Sequence, residues 1–225
     1  MIYSSKLDLN RFFSALENEK YVIIKLTDFP NYNSGSDIDI FCYNIDKIAL
    51  EIIYIGKQYL EEDFVIVAKN ANDSHKYIDF IIGDDIEFRF DLYGELPEYK
   101  RLCVKKDYFT NLIENRVPLT YDYHQKQYNI YVPSLIDELV LRYIEYIEWY
   151  ELRHDKIKHL NYIMNALSED EERMIFLDKL HKYTELPPTN NTSIEKQKDT
   201  CLKSELQIIL RSTKKWIRDR ITGKR

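Results

Sequence analysis

The sequence lacks the features that mark several broad classes of protein. Among its 225 residues, no apolar run reaches the roughly 18–20 residues that a membrane-spanning helix needs. The first residues do not show the basic and then apolar pattern of a secretory leader. The cysteines, Cys42, Cys103 and Cys201, are odd in number, far apart and without metal-ligand spacing. We therefore expect free thiols in a soluble protein of the reducing cytoplasm.

An excess of basic residues is also missing. The formal net charge is −6 at neutral pH. A protein that coats nucleic acid needs a basic face to displace counterions, so general nucleic-acid binding is not expected. A local basic pocket for one nucleotide remains compatible with this charge. The apolar content of 44% and charged content of 31% are ordinary for a folded protein with one large or two small domains.

The segment with the clearest chemical signal is SGSDIDIF at residues 34–41. A Gly-Ser turn precedes a strand-like run in which Asp37 and Asp39 alternate with Ile38 and Ile40. Successive strand side chains point to opposite faces, so the two carboxylates share one face, about 6–7 Å apart, while the isoleucines enter a core. Such a pair suits a hard divalent cation such as Mg²⁺, which often keeps a bound phosphate. The segment therefore predicts metal-dependent chemistry on a nucleotide.

A third candidate carboxylate lies in IEFRFDL at residues 86–92. Strict alternation predicts that Glu87, Arg89 and Asp91 share one face of this strand. If the strand lies beside the Asp37–Asp39 strand, Asp91 completes a group of carboxylates that repel one another unless a cation neutralises them.

Two neighbours of Asp91 leave alternatives open. Asp79, in the preceding strand, competes for the third position in the cluster. Arg89 is either an ion-pair partner of Glu87 or Asp91, or a substrate contact. An Asp-x-Asp pair on an edge strand can also be a solvated face that blocks aggregation.

The chain changes character at Pro133. Before it, strands and helices alternate; after it, the pattern is helical, with Ser134 as an N-cap. Strands are predicted over residues 21–26, 36–43, 64–68, 77–82, 86–93 and 127–132, the fourth and fifth joined by a tight turn at 83–85. Helices are predicted over residues 7–19, from 44 or 46 to about 60, and over 108–114, 135–152, 154–166, 169–181 and 194–221.

We therefore expect an α+β protein with two domains. The first, residues 1–132, has a mixed β-sheet with flanking helices. The second, residues 133–225, is all-helical, with a linker near 185–193 and a basic C-terminal helix. That last helix is either an ordinary helix with a solvated basic face or a dock for a partner or an anionic membrane surface.

Together these residues resemble the nucleotidyltransferase fold of DNA polymerase β, aminoglycoside nucleotidyltransferases and related small bacterial enzymes. A closer resemblance is to bacterial nucleotidyltransferase-like proteins found with surface-polysaccharide genes. It rests on VIIKL at 22–26, a proline-containing loop, GSDIDI at 35–40 and RHDKIKHL at 153–160, and it covers roughly residues 20–165.

The resemblance implies Mg²⁺-dependent transfer of a nucleotidyl group from an NTP to the hydroxyl of a small molecule, such as a sugar or sugar phosphate in polysaccharide biosynthesis. Asp37, Asp39 and Asp91 would be catalytic and would hold the metal, as two Mg²⁺ ions or as Mn²⁺ in their place. Ser36 and the backbone of Gly35 would contact phosphate.

Two positions bear on how the phosphates are held. Members of this group carry a Gly-Ser pair about ten residues before Asp-x-Asp, where this chain has Leu26, Thr27 and Asp28. Either Thr27 and a reshaped loop hold the phosphates, or triphosphate binding is altered or lost. Lys156 is expected to reach a phosphate across the cleft between the halves, or else to lie on a solvated helix face.

Three other functions compete. Glycosyltransferases also use Asp-x-Asp, but they place it after a nucleotide-binding half of about a hundred residues, whereas here it begins at Asp37. Arg153 to His159 fits the loose pattern of HEPN ribonucleases, which occur in toxin–antitoxin pairs. A domain that has lost its phosphate loop would instead be a binding or scaffolding module in polysaccharide assembly.

Overall fold

The computed structural model describes residues 6–26 and 29–185 of the chain, and these belong to one compact unit. The predicted C-terminal helix, nearly all of the predicted linker and Cys201 lie outside the described residues. The division into domains at residues 132 and 133 stays a prediction.

The described part is a mixed α/β structure with six α-helices. The strands are β1 (Tyr21–Ile23), β2 (Ser36–Cys42), β3 (Phe64–Asn72), β4 (His75–Ile82), β5 (Asp85–Tyr93), β6 (Cys103–Val104), β7 (Val117–Tyr123), β8 (Lys126–Val132) and β9 (Thr184–Glu185). The helices are α1 (Leu9–Ala15), α2 (Ile45–Gly56), α3 (Asp107–Glu114), α4 (Leu135–Trp149), α5 (Ile157–Ala166) and α6 (Asp170–Tyr183). Short 3₁₀ turns, Lys57–Glu62 and His154–Lys156, follow α2 and precede α5.

The central sheet has five strands in the order β1-β2-β5-β4-β3. β2 and β5 run parallel, and every other neighbouring pair in this sheet is antiparallel. The predicted hairpin between β4 and β5 is confirmed, and Gly83 supplies the positive φ of 61° in its turn. Because β2 lies between β1 and β5, the explanation of Asp-x-Asp as an edge-strand device is wrong.

The alternation along β2 and β5 decides which face of the sheet becomes core. Ile38 and Ile40 of β2 are buried, as are Phe88, Phe90 and Leu92 of β5. Burying such side chains contributes about 1.5–3 kcal/mol each. Because side chains alternate along a strand, the residues between these apolar positions lie on the other face of the sheet.

Helix α2 packs closely on the core face of the sheet. A Cβ placed on Gly56 would lie 2.7 Å from the ring of Phe80. That distance is shorter than real carbon contacts allow, and Phe80 is fully buried. Glycine therefore permits the close approach of α2 to β4.

The described segment after Pro133 forms α4, α5 and α6 and then ends in β9, which pairs with β6; that the whole of residues 133–225 is helical stays a prediction. Ser134 caps α4 by accepting a hydrogen bond from the backbone N–H of Asp137 at 3.2 Å. Asp137 is buried and pairs with Lys179 of α6 at 2.7 Å, which ties α6 to α4. Within residues 6–26 and 29–185, no helix combines the length and apolar character needed to cross a membrane.

Several differences from the sequence prediction concern strand ends and short strands. β3 extends to Asn72 and β4 begins at His75, so a second hairpin joins two strands that were predicted to end at residue 68 and begin at residue 77. β7 was not predicted, although it pairs with β8 along seven residues. β1 ends at Ile23, before the predicted end at residue 26. Cys42 and Cys103 are free thiols, as expected.

Candidate metal centre

Asp37, Asp39 and Asp91 meet on the face of the sheet opposite the core. Asp37 and Asp39 come from β2, and Asp91 comes from the adjacent parallel strand β5, where it lies directly opposite Asp39. Each contributes a carboxylate oxygen within 4.8 Å of the other two. The sequence-based expectation that these carboxylates converge is confirmed, and we call them the carboxylate triad.

The outer two carboxylates of the triad each contact a basic side chain. Lys25 Nζ lies 3.0 Å from Asp37 Oδ1, and His75 Nε2 lies 3.0 Å from Asp91 Oδ1. Among the described residues, Asp39 has no ion-pair partner within 4 Å. Burial raises the pKa of Asp39 to about 7; the charge of Lys25 opposes this rise, and the charges of Asp37 and Asp91 add to it. The ionised form of Asp39, in the middle of the triad, is therefore disfavoured in the absence of a further positive charge.

This arrangement fits a hard divalent cation. Oxygen atoms from three carboxylates are the ligands that Mg²⁺ and Mn²⁺ take in proteins. A buried carboxylate with like charges on both sides is the group for which a bound cation is most favourable. The donor set and the state of Asp39 therefore fit the metal that the sequence implies.

His75 is held in place from both sides. It lies opposite Tyr93 in the β4–β5 register, and the two rings stack with centroids 4.2 Å apart and planes 12° apart. The adjacent turn is fixed by the backbone N–H of Gly94, which donates to the carbonyl of Ser74 at 2.7 Å. The orientation of His75 towards Asp91 therefore follows from the β4–β5 pairing, which extends to His75, two residues beyond the predicted start of β4.

Asp79 and Arg89 form a separate ion pair beside the triad. Arg89 Nε and Nη2 donate to the two oxygens of Asp79 at 2.6 and 2.9 Å. Asp79 on β4 and Arg89 on β5 lie directly opposite each other, and this cross-strand position brings the two side chains together. The prediction that Arg89 pairs with Glu87 or Asp91 is therefore wrong. Asp79 pairs with Arg89, and Asp91 belongs to the triad.

A cavity of about 180 Å³ opens beside Asp37. Its polar wall consists of Lys25, Asn31, Ser36 and Asp37. Apolar and aromatic side chains complete the lining: Leu9, Leu26, Phe29, Tyr32, Ile38 and Phe88. Binding pockets for whole drug-sized ligands have volumes of about 300–1,000 Å³, so this cavity has room for only part of a nucleotide.

The Gly-Ser turn that enters β2 uses its backbone N–H groups internally. Gly35 N–H donates to the carbonyl of Glu87, and Ser36 N–H donates to the carbonyl of Asn33, both at 3.0 Å. Gly35 has a φ of 83°, which favours glycine. The side chain of Ser36, on the cavity wall, is the part of this turn that faces a ligand space.

Lys156 belongs to an ion-pair cluster between α4 and α5. Its Nζ lies 2.8 Å from Glu145 Oε2, and its side chain is only 13% exposed, so the interpretation as a solvated helix face is wrong. Burial alone would raise the pKa of Glu145, but hydrogen bonds from His159 and Lys156 lower it to about 2. The negative charge of Glu145 adds to the raised pKa of Asp39. Glu145 is thus electrostatically coupled to the triad, and Lys156 contacts Glu145.

The same cluster fixes His159. Arg142 Nη1 lies 3.3 Å from His159 Nδ1, and His159 Nε2 lies 3.2 Å from Glu145 Oε2. Because a guanidinium can only donate, Nδ1 accepts and Nε2–H donates to Glu145. Arg153 instead contacts Asp155 at 3.3 Å. His159 therefore contacts Glu145 and Arg142, and not the Arg153 of the ribonuclease-like pattern.

The site contains three side chains that sequence reasoning did not single out: Lys25, His75 and Glu145. Lys25 and His75 are brought to the site by the pairing of neighbouring strands. β1 and β2 are antiparallel, and the backbone N–H of Ile24 donates to the carbonyl of Asp39, which brings Lys25 beside Asp37. Glu145 lies on a continuous helix, and the sequence gives no local signal for what that helix faces.

Comparisons with known proteins give one partial similarity. No family model and no solved structure matches the chain. Over 109 residues the chain is 27% identical to a deoxyguanosinetriphosphate triphosphohydrolase-like protein of Clostridium perfringens (strain SM101 / Type A). The matched stretch is 48% of this chain but only 28% of that relative. The match therefore records a similarity over part of the chain and assigns no family.

Proposed function

We propose that the protein is a divalent-metal-dependent nucleotidyltransferase. It takes a nucleotidyl group from an NTP and attaches it to the hydroxyl of a small molecule, with a sugar or sugar phosphate as the expected class of acceptor. The observation that carries the proposal is the carboxylate triad, in which Asp39 from β2 and Asp91 from β5 are direct neighbours and the ionised form of Asp39 is disfavoured.

Each triad residue has a role in this proposal. Asp37 and Asp39 hold Mg²⁺ or Mn²⁺, and Asp91 completes the site. A cation bound there would neutralise phosphate charge and favour ionisation of the attacking hydroxyl. Asp91 accepts the proton of that hydroxyl through its second oxygen, while His75 keeps the first. The new bond joins the acceptor oxygen to the α-phosphorus, and the bond to the departing pyrophosphate breaks.

The neighbouring side chains bind the rest of the nucleotide. Ser36 contributes a hydroxyl to the phosphates from the cavity wall, while the internally bonded amide of Gly35 serves to shape the turn. Lys156 adds positive charge from the helical part of the chain. A phosphate bound there replaces Glu145 as the partner of Lys156.

The first experiment is calorimetric titration of the wild-type protein with each common NTP, with and without Mg²⁺. We expect Mg²⁺-dependent binding that is lost in Asp37→Asn and in Asp39→Asn, because both substitutions remove charge at constant shape. Asp46→Asn is the matched control, since Asp46 is an exposed aspartate whose ion pair with Lys76 lies outside the triad. Full binding by Asp37→Asn and Asp39→Asn would contradict the proposal.

Product analysis then separates transfer from hydrolysis. The partial similarity to a triphosphohydrolase-like protein favours hydrolysis of a nucleoside triphosphate as the second candidate. Nucleotidyl transfer releases pyrophosphate and consumes the acceptor, whereas a triphosphohydrolase uses water and releases inorganic triphosphate. Incubation with dGTP and with the NTP that binds, followed by anion chromatography, distinguishes the two.

The two remaining alternatives, a scaffolding module and a ribonuclease, predict different results in binding and cleavage assays. A binding or scaffolding module would fold normally and bind no NTP under any metal condition. A ribonuclease would cleave RNA in the presence of EDTA and lose this activity in His159→Ala. Either result would replace the proposed function.

A further inference from the structure

Lys25 differs from the other basic group at the triad in how it is held. Its ammonium lies 3.0 Å from Asp37 Oδ1, and the two side chains are 48% and 46% exposed. His75 is only 24% exposed and is stacked on Tyr93. An exposed lysine–carboxylate pair contributes about 0–1 kcal/mol, so the Lys25–Asp37 contact is easily exchanged for another.

Lys25 lies between the triad and a cavity that could hold an anion. On one side is the triad, which it reaches because β1 and β2 are antiparallel neighbours. On the other side is the cavity of about 180 Å³, whose wall Lys25 shares with Ser36. An ammonium and a hydroxyl at one cavity wall can each donate hydrogen bonds to a phosphate.

On the premise that the triad binds a divalent cation as proposed above, we propose that Lys25 and Ser36 form the polyphosphate-binding site of the protein. In the metal-free protein Lys25 neutralises Asp37. When a divalent cation takes over the charge of Asp37, the attraction between Lys25 and the triad falls, and Lys25 turns to the phosphates in the cavity mouth.

If Lys25 makes this exchange, its removal should change metal affinity and polyphosphate affinity in opposite directions. A positive charge beside Asp37 competes with a metal ion for the same carboxylate, so its loss strengthens metal binding. The same charge attracts polyphosphate, so its loss weakens polyphosphate binding to the metal-loaded protein. A residue needed only for folding would not change the two affinities in opposite directions.

The test uses the full chain, Mn²⁺ as the metal probe and inorganic triphosphate as the base-free phosphate probe. In Lys25→Met, which keeps the aliphatic stem, Mn²⁺ affinity without phosphate should rise about threefold to fivefold. Affinity of the Mn²⁺-loaded protein for triphosphate should fall about tenfold or more. Lys25→Arg should retain most triphosphate affinity, and Ser36→Ala should lower it without changing Mn²⁺ affinity.

Lys20→Met is the matched control, because Lys20 also forms an exposed ion pair, with Glu114 at 2.9 Å. This variant should leave both affinities unchanged. Unchanged or weakened Mn²⁺ binding in a folded Lys25→Met protein, or unchanged triphosphate binding, would overturn the inference while the metal site stands. A wild-type protein that binds neither probe would overturn the proposed function together with it.

Discussion

His75 donates from Nε2 to Asp91 Oδ1 at 3.0 Å while its ring lies parallel to that of Tyr93. The contact engages one oxygen of Asp91, whose residue lies directly opposite Asp39 in the β2–β5 register. Partners that orient a metal ligand in this way commonly change metal affinity by about tenfold to a hundredfold when removed. His75 is therefore a positioning residue for Asp91.

The first prediction concerns His75 and metal affinity. His75→Ala should weaken Mn²⁺ binding by about tenfold or more, because Asp91 loses the hydrogen bond that orients it. His75→Gln, which places an amide N–H near the position of Nε2, should recover part of the affinity. Calorimetry or electron paramagnetic resonance of Mn²⁺ measures both. The control is His181→Ala, on the exposed side of α6, and equal affinities for all of these proteins would contradict the role.

The second prediction concerns the stability of the metal-free protein. Burial and the neighbouring carboxylates raise the pKa of Asp39 to about 7, so its ionised form opposes folding above that pH. Asp39→Asn should raise Tm at pH 8 by about 2–4 °C, which corresponds to about 1 kcal/mol for a chain of this size. Asp37→Asn should bring no such gain, because Asp37 is half exposed and paired with Lys25.

Thermal scans with and without Mg²⁺ test whether the effect of Asp39 on Tm is linked to metal binding. Adding Mg²⁺ should raise Tm of the wild type by mass action and leave Tm of Asp39→Asn unchanged. A lower Tm for metal-free Asp39→Asn than for wild type would show that the charge of Asp39 is compensated.

The third prediction separates two aspartates on the same face of the sheet. Asp79→Asn should destabilise the fold by about 1–3 kcal/mol, because it weakens the bidentate pair with Arg89 at a buried position. It should leave Mn²⁺ affinity unchanged. Asp91→Asn should do the reverse and lose most of the metal affinity. Urea unfolding and Mn²⁺ titration of both variants provide the comparison, and loss of metal binding in Asp79→Asn would place Asp79 in the site.

The fourth prediction concerns pH and Glu145. Hydrogen bonds from His159 and Lys156 outweigh burial and lower the pKa of Glu145 from 4.5 to about 2. Because the folded pKa lies below the ordinary value, the carboxylate stabilises the fold above about pH 4.5. This stabilisation is lost as the pH falls towards 2. Glu145→Gln should therefore have a lower Tm than wild type at pH 7, and the difference should shrink below pH 4.5.

Thermal scans between pH 7 and pH 3 measure this narrowing. Glu98→Gln, at an exposed position in the loop after β5, is the control and should follow the wild type throughout. A Tm difference for Glu145→Gln that does not depend on pH would show that the ion pair with Lys156 is not its source.

The predictable part of the site depends on alternation along single strands. Asp37, Asp39 and Asp91 could be identified because each alternates with buried apolar residues, and that pattern alone fixes a face. Partners across strands could not be identified in the same way. His75 and the Asp79–Arg89 pair depend on the register of β4 against β5, which an irregularity between Phe80 and Ile81 shifts and which the predicted turn alone does not specify.

Long-range placement explains the remaining differences. The charge of Glu145 acts on Asp39 although the two residues are far apart in the sequence, and nothing in the sequence around Glu145 encodes that neighbour. β7 was missed because its side chains are mostly exposed, so no apolar alternation marks it. The main helices after Pro133 were predicted well because their apolar period and the Ser134 cap are local features.

The parallel pairing of β2 and β5 also has a consequence for how the protein folds. Asp39 and Asp91 are adjacent only in one strand register, and a slip by one residue would place every apolar side chain of β5 on the wrong face. Pairing between parallel strands that are distant in sequence is intrinsically slow, because the loop-closure entropy is lost before the contacts form. Under the proposed function, metal binding would therefore report that the β2–β5 pairing, the least local in the five-stranded sheet, has its correct register.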